Sequence, residues 1–334
     1  MQGERNLFFR LVNFKSSYRR MLNRRHIRVK VMQSIYSMHQ NNSDDLQKEE
    51  KFLLNSIENI RDLYLIMVSA LVELRNSEEE FIEKSQKKHL ATAQERNPNK
   101  KFINNAVLML LAESNPLSIA MADNKIDNWK KNDDYILILL EAVKASEVYQ
   151  KYMQTSTSSY EEDREFVNEL FTEVVAPNEK LYEYLEDHKL TWVDDIPVVN
   201  TLISKQLALI TPDGRDAFFV PKIYKDSDDK DFVRDLFRKT ILNDKELAKE
   251  FLDKTPNWDT DRIAEIDSII LKMAICEFLK FPSIPVKVTI NEYLEIAKEY
   301  STPKSSIFIN GILDNIVKDY QTNNKLIKTG RGLM

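Results

Sequence analysis

The sequence predicts an all-α protein, and three observations carry that expectation. Glycine and proline are scarce, at 5 and 10 of 334 residues, which leaves few of the turns that a sheet protein places between its strands. Apolar residues in the last third recur with the 3.6-residue helical period. Around the Asn310-Gly311 pair, which would otherwise signal a hairpin, no strand-like alternation is present and the helical period runs through. With 43 % hydrophobic residues the chain can bury one large core or two ordinary ones.

Taken in order, residues 1–20 mix Leu7, Phe8, Phe9, Leu11, Val12 and Phe14 with arginines. They read as an extended basic start. A membrane-surface segment or a targeting segment are competing readings, but a continuous apolar stretch and a small-residue cleavage site are both missing. Residues 1–30 hold nine Lys/Arg and one Glu, a local +8, so with a net charge of −5 the other 304 residues carry −13. That asymmetry suits a basic arm gripping nucleic acid on an acidic body. The first helix is expected over residues 22–40, with Ile27, Val31, Ile35 and Met38 as its buried stripe and Arg25, Arg28 and Tyr36 on the flank. Guanidinium groups there suit phosphate, which they meet with two parallel hydrogen bonds, and bases, on which they stack. A solvated helix start with stray arginines is the plainer alternative.

A polar break at residues 41–45 precedes a long helix from Leu46, charged toward Glu95, and then shorter helices near Phe102 to Ala112, Pro116 to Trp129 and Asp134 to Met153. Thr155 to Ser159 reads as a linker. Next comes an internal echo: DREFVNELF at Asp163–Phe171 and DKDFVRDLF at Asp229–Phe237 share five residues at an offset of 66, which also pairs Leu181 with Leu247 and Trp192 with Trp258. The distant tryptophan makes chance a poor account, and a partial duplication explains it. Between the copies, Ile210–Lys230 reads as an ordered loop or short hairpin.

Three helices close the chain. Ile266, Ile269, Ile270, Met273 and Ala274 share one face of the first, and Ile263, Leu271, Ile275 and Phe278 add a second flank, the mark of a central helix. Pro282 and Pro285 end it. The second spans roughly Val286 to Tyr300 and stops before Pro303. Ser305 or Ser306 can cap the third, whose stripe is Phe308, Ile309, Ile312, Leu313 and Ile316. Gly311 inside it costs about 1 kcal/mol relative to alanine, and close approach of a neighbouring helix or a ligand backbone is the expected offset.

The order of ID-x-IIL-x-x-A-x-x-E (Ile266 to Glu277), IP-x-KV-x-INE (Ile284 to Glu292), IAKEYS (Ile296 to Ser301) and F-x-NG-x-LD (Phe308 to Asp314) resembles the C-terminal half of the NusB family of bacterial transcription antitermination factors. RRHIRVKVMQSIYSM (Arg24 to Met38) is similar to that family's arginine-rich start. With Phe232 to Trp258, the resemblance covers roughly a third of the chain. It implies a pair of three-helix bundles with an additional helical insertion. The expected division is a basic extension at 1–20, the first NusB-like helix at 21–40, an insertion with a partial repeat at 41–228, the C-terminal bundle at 229–322 and a disordered basic tail at 323–334. Met21 is where the family's chains would begin.

The resemblance further implies binding of boxA-like single-stranded RNA of ribosomal RNA transcripts, together with a small-subunit ribosomal protein called NusE, in the RNA polymerase antitermination complex. Carried over by position, RNA contacts fall on Arg24, Arg25, Arg28, Lys304, Ser305 and Phe308, and a contact to the protein partner on Asp267. His26 stands where many members have a basic residue, which lowers the expected charge at pH 7. Core packing is an equal reading for Phe308, and Asp267 reads equally as an inert surface acid.

No Gly-rich phosphate cradle is present. The four histidines stand far apart with no ligand spacing, and no nucleophile, base and acid can be assembled, so neither a cofactor, a metal nor an enzymatic activity is expected. Lone Cys276 in an apolar helix reads as buried and inert, fitting a cytoplasmic location without disulfides within the chain. No apolar run approaches the ~18 residues of a membrane span. Two other functions stay open: a protein-only adaptor that uses 41–228 as its binding face, and an accessory of RNA modification.

Overall fold

The computed structural model describes residues 20–212, 220–252, 254 and 263–330. Most of the 1–20 extension, Trp258 of the internal echo, the middle of the loop after Ile210 and the last four residues lie outside these. Among the described residues the structure is helical, with one isolated bridge between Arg20 and Lys222 as its sole β pairing. The helices begin with α1 (Arg24–Gln40) and the 41-residue α2 (Leu46–Gln86), which starts where Asp45 accepts from the Lys48 amide at 3.0 Å. No helix among the described residues is long and apolar enough to cross a membrane.

The chain divides into two compact units, residues 58–223 with the first 21, and residues 22–57 with 224–334. The boundaries therefore fall at 57/58, inside α2, and at 223/224, where the sequence places them at 40/41 and 228/229. In the first unit, α3 (Ala93–Arg96), α4 (Ala106–Ala112), α5 (Asn115–Asp123), α6 (Asn128–Lys131), α7 (Asp133–Ala145) and α8 (Glu147–Tyr152) lead to α9 (Tyr160–Leu170), which runs into a π-helical turn at Phe171–Val175. Then come α10 (Glu179–His188), a 3-10 turn at Leu190–Trp192 and α11 (Ile196–Leu209). Buried polar tips tie these elements to α2. Trp129 Nε1 donates to the Ile66 carbonyl at 3.1 Å, Trp192 Nε1 to the Asn59 carbonyl at 2.9 Å, and the Tyr64 hydroxyl to Gln206 at 2.8 Å.

The run Thr155–Ser159 is pinned, unlike a free linker. Lys101 Nζ donates to Thr155 Oγ1 at 2.7 Å and pairs with Glu162 at 2.6 Å, while Ser158 and Tyr152 both donate to Asp163. A buried ammonium needs such acceptors, and short polar side chains around it supply them.

The second unit continues with α12 (Ser227–Leu242), α13 (Asp244–Leu252), α14 (Glu265–Lys280), α15 (Val286–Tyr300) and α16 (Ser305–Thr322). Helix α14 is central as its two apolar flanks require: every residue from Ile269 to Phe278 is buried. Cys276 is buried there too, and burial pushes its thiol up to about 11. The echo is structural as well as sequential. Asp163, Phe166, Val167, Leu170 and Phe171 are buried at the positions of Asp229, Phe232, Val233, Leu236 and Phe237, and Leu181 and Leu247 likewise.

Two expectations are corrected here. Helix α16 passes unbroken through Gly311, but a Cβ there would meet nothing within 4 Å, so no neighbouring helix of the chain explains the glycine. The described part of the C-terminal tail is anchored: Lys328 Nζ donates to the carbonyls of Glu277 and Phe281 at 3.2 and 3.1 Å, and the Thr329 amide to the Pro282 carbonyl at 3.1 Å. These two carbonyls also accept from the Phe281 and Ile284 amides, so Lys328 adds a second donor to each, at a helix C-terminus that favours a cation.

Candidate nucleic-acid interface

The arginine-rich start becomes the first turn of α1 because Asn23 caps it. Its side chain accepts from the His26 amide at 3.0 Å, and its own amide donates to His26 Nδ1 at 3.4 Å. His26 thus serves the helix end. The stripe Ile27, Val31, Ile35 and Met38 is buried, and Arg28, Val29, Lys30 and Met32 are buried beside it. Most of α1 is enclosed.

Each arginine of the turn is held by an acid from a different helix. Arg24 Nε donates to Asp229 Oδ1 of α12 at 2.9 Å, and its guanidinium lies 5.0 Å from the Phe232 ring centre. Arg25 donates through Nε and Nη2 to both oxygens of Glu292 of α15, each at 2.9 Å. Arg28 donates through Nε and Nη2 to both oxygens of Glu277 of α14, at 2.9 and 2.7 Å, and its Nη1 lies 3.7 Å from Glu292. Arg24 and Arg25 keep 40 % of their side chains exposed, whereas Arg28 keeps 2 % and Glu277 none.

Burial alone would lower the Arg28 pKa. The charge and hydrogen bonds of Glu277 outweigh it, so the net shift is upward. The Arg25 pKa is raised chiefly by its hydrogen bonds to Glu292. Glu277 also accepts from Thr289 Oγ1 at 2.7 Å and from the Tyr293 hydroxyl at 3.3 Å, so the buried pair is saturated. Arg28 is therefore a tie between α1 and α14. This differs from the phosphate contact expected of it, because a side chain on the flank of the stripe meets a facing helix there and no solvent.

A second cluster forms where α15 turns into α16. Asp267 of α14 is buried and accepts from Ser301 Oγ at 2.6 Å and Ser305 Oγ at 2.7 Å, and the two hydroxyls lie 2.9 Å apart. Asp267 and Ser305, expected at a partner surface and an RNA contact, are thus bonded to each other in the interior. Their geometry sets the start of α16. Lys304, at the N-cap position with no side-chain cap bond, is exposed, and Phe308 one turn on is half-buried. Glu292 lies nine residues before Ser301, the residue that follows α15, so the two clusters stand about 14 Å apart along that helix.

Sequence reasoning missed Asp229, Phe232, Glu277, Thr289, Glu292 and Tyr293. A signal existed for Glu277: an acid between Cys276 and Phe278 on a helix apolar on two sides must find a buried cation.

Residues 219–318 match the NusB family. A protein of Salinibacter ruber named "Transcription antitermination protein NusB" is 47 % identical over 111 residues, 33 % of this chain and 69 % of that one. The chain belongs to the NusB family. Relatives of the same name from Chloroherpeton thalassium and Clostridium kluyveri are 41 % and 44 % identical over 105 and 91 residues. These stretches are 31 % and 27 % of this chain, and 50 % and 58 % of those relatives' lengths. No solved structure matches. Set against its NusB relatives, the chain carries an extra helical region, and the arginine turn, α14, α15 and α16 all lie in its second unit.

Proposed function

We propose that this NusB-family protein is a cytoplasmic transcription antitermination factor that binds boxA-like single-stranded RNA of ribosomal RNA transcripts together with a NusE-type ribosomal protein. It acts within the RNA polymerase antitermination complex. The observation that carries the RNA part is the first turn of α1, where Arg24 and Arg25 are half-exposed while each is held on part of its guanidinium. Arg24, held by an acid that stays in place, loses less freedom when a phosphate arrives. Lys304 supplies a third exposed cation and Phe308 a ring for a base. Arg28, Ser305 and Asp267 act from the interior by fixing α1 and α16.

The test is binding of a boxA-like RNA across a salt series, with and without the NusE-type protein. Three exposed cations allow a log–log slope of at most about −2 for a single strand. Arg24→Ala/Arg25→Ala brings the slope to about −0.7, and a urea midpoint measured beside it reads the cost of taking the Arg24 cation from the buried Asp229 carboxylate. The partner tightens wild-type binding. One observation favours the adaptor reading instead: Asp229, Glu277 and Glu292 match the three arginine charges one for one. Wild-type binding that is weak, independent of salt and equal to the variant's decides for the adaptor.

A further inference from the structure

We infer that Glu292 is the internal occupant of the Arg25 phosphate site, a residue that sets nucleic-acid affinity by competing for the guanidinium. The inference rests on the RNA reading above and adds to it the group that RNA displaces.

The geometry singles out Arg25 among the three arginines. Glu292 takes the Nε and Nη2 donors with two bonds of 2.9 Å, the same parallel pair that a phosphate would use. A phosphate therefore competes with the carboxylate for one edge. Exchange is easy here and hard at the neighbours. Glu292 is 21 % exposed and lies 3.7 Å from Arg28 Nη1, so once displaced it keeps a cation and access to water. Glu277 is wholly buried and saturated, and Asp229 is 4 % exposed, so releasing either would strand a buried charge. Arg24 and Arg28 keep their acids when RNA binds, while Arg25 trades its acid for a phosphate.

The experiment compares RNA binding by wild type, Glu292→Gln and Glu295→Gln over a salt series. Glu295 lies one turn along α15, is exposed, pairs with Lys298 at 2.7 Å and makes no hydrogen bond to Arg25. Its variant therefore removes the same charge without freeing the fork. Glu292→Gln is expected to bind about threefold to tenfold more tightly at low salt, with a slope that stays within the limit of about −2 that three cations allow. Glu295→Gln is expected to change affinity by less than about twofold. Circular dichroism and a urea midpoint near that of wild type confirm that the variants fold. Equal tightening by both variants, or no tightening by Glu292→Gln, overturns the inference while wild-type binding upholds the RNA reading. Failure of wild type and both variants to bind RNA overturns both.

Discussion

Replacing Glu277 with leucine strikes the tie between α1 and α14. The guanidinium of Arg28, 2 % exposed, loses both its short hydrogen bonds and is left with Glu292 at 3.7 Å. Breaking one side of a buried ion pair costs about 3–5 kcal/mol. The Tyr293 hydroxyl, 3.3 Å from Glu277, loses its acceptor, which adds about 1–3 kcal/mol. Thr289 is spared, because its Oγ1 lies 3.5 Å from the Pro285 carbonyl. Glu277→Leu should thus destabilise by about 4–8 kcal/mol. The pair Arg28→Met/Glu277→Leu removes both charges and leaves the tyrosine hydroxyl unpaired, so its cost falls to about 1–3 kcal/mol. The second substitution then restores about 3–5 kcal/mol. Urea unfolding followed by circular dichroism reads the difference as a recovered midpoint at unchanged m-value. A double variant no more stable than Glu277→Leu would refute the claim that the stranded charge dominates.

Other consequences are more local. Gly311→Ala, with open space at the Cβ position, should stabilise by about 1 kcal/mol, and a thermal melt that does not rise argues that α16 is not helical there. Asp267→Ala removes the acceptor of two hydroxyls and should cost about 2–4 kcal/mol, with Asp267→Asn costing about half of that; equal melting temperatures for wild type and both variants would exclude the role. Stability should also fall in alkali. Burial raises the pKa of Tyr64 and Tyr293 above the ordinary 10.0, and that of Cys276 from 9.0 to about 11. The unfolded chain therefore ionises first and the fold keeps the protons, so the stabilisation is complete below about pH 9 and declines above it. Each group contributes up to about 1.4 kcal/mol per pH unit, and a urea midpoint unchanged up to about pH 11 would contradict this.

Periodicity made α14, α15 and α16 legible to within a residue or two, since each carries an apolar stripe and is closed by proline or a short polar turn. It also placed Ile27, Val31, Ile35 and Met38 correctly. It could not tell a flank that meets water from one that meets another helix. Arg28 and Glu277 are 249 residues apart in sequence, and no local pattern links them. Asp267 read as a surface acid for the same reason: its partners Ser301 and Ser305 stand where two further helices join. The composition suggested a free basic arm, but counting charges along the chain cannot reveal that Asp229 and Glu292 fold back onto Arg24 and Arg25.

The most direct test of the central claim is transcription in vitro through a terminator placed downstream of a boxA-like leader, with RNA polymerase and the NusE-type protein present. The protein is expected to raise readthrough, Arg24→Ala/Arg25→Ala to abolish most of the gain, and a leader with a scrambled boxA-like element to show none. Readthrough that is unchanged by the protein, or raised equally by the double variant and on the scrambled leader, would contradict that claim.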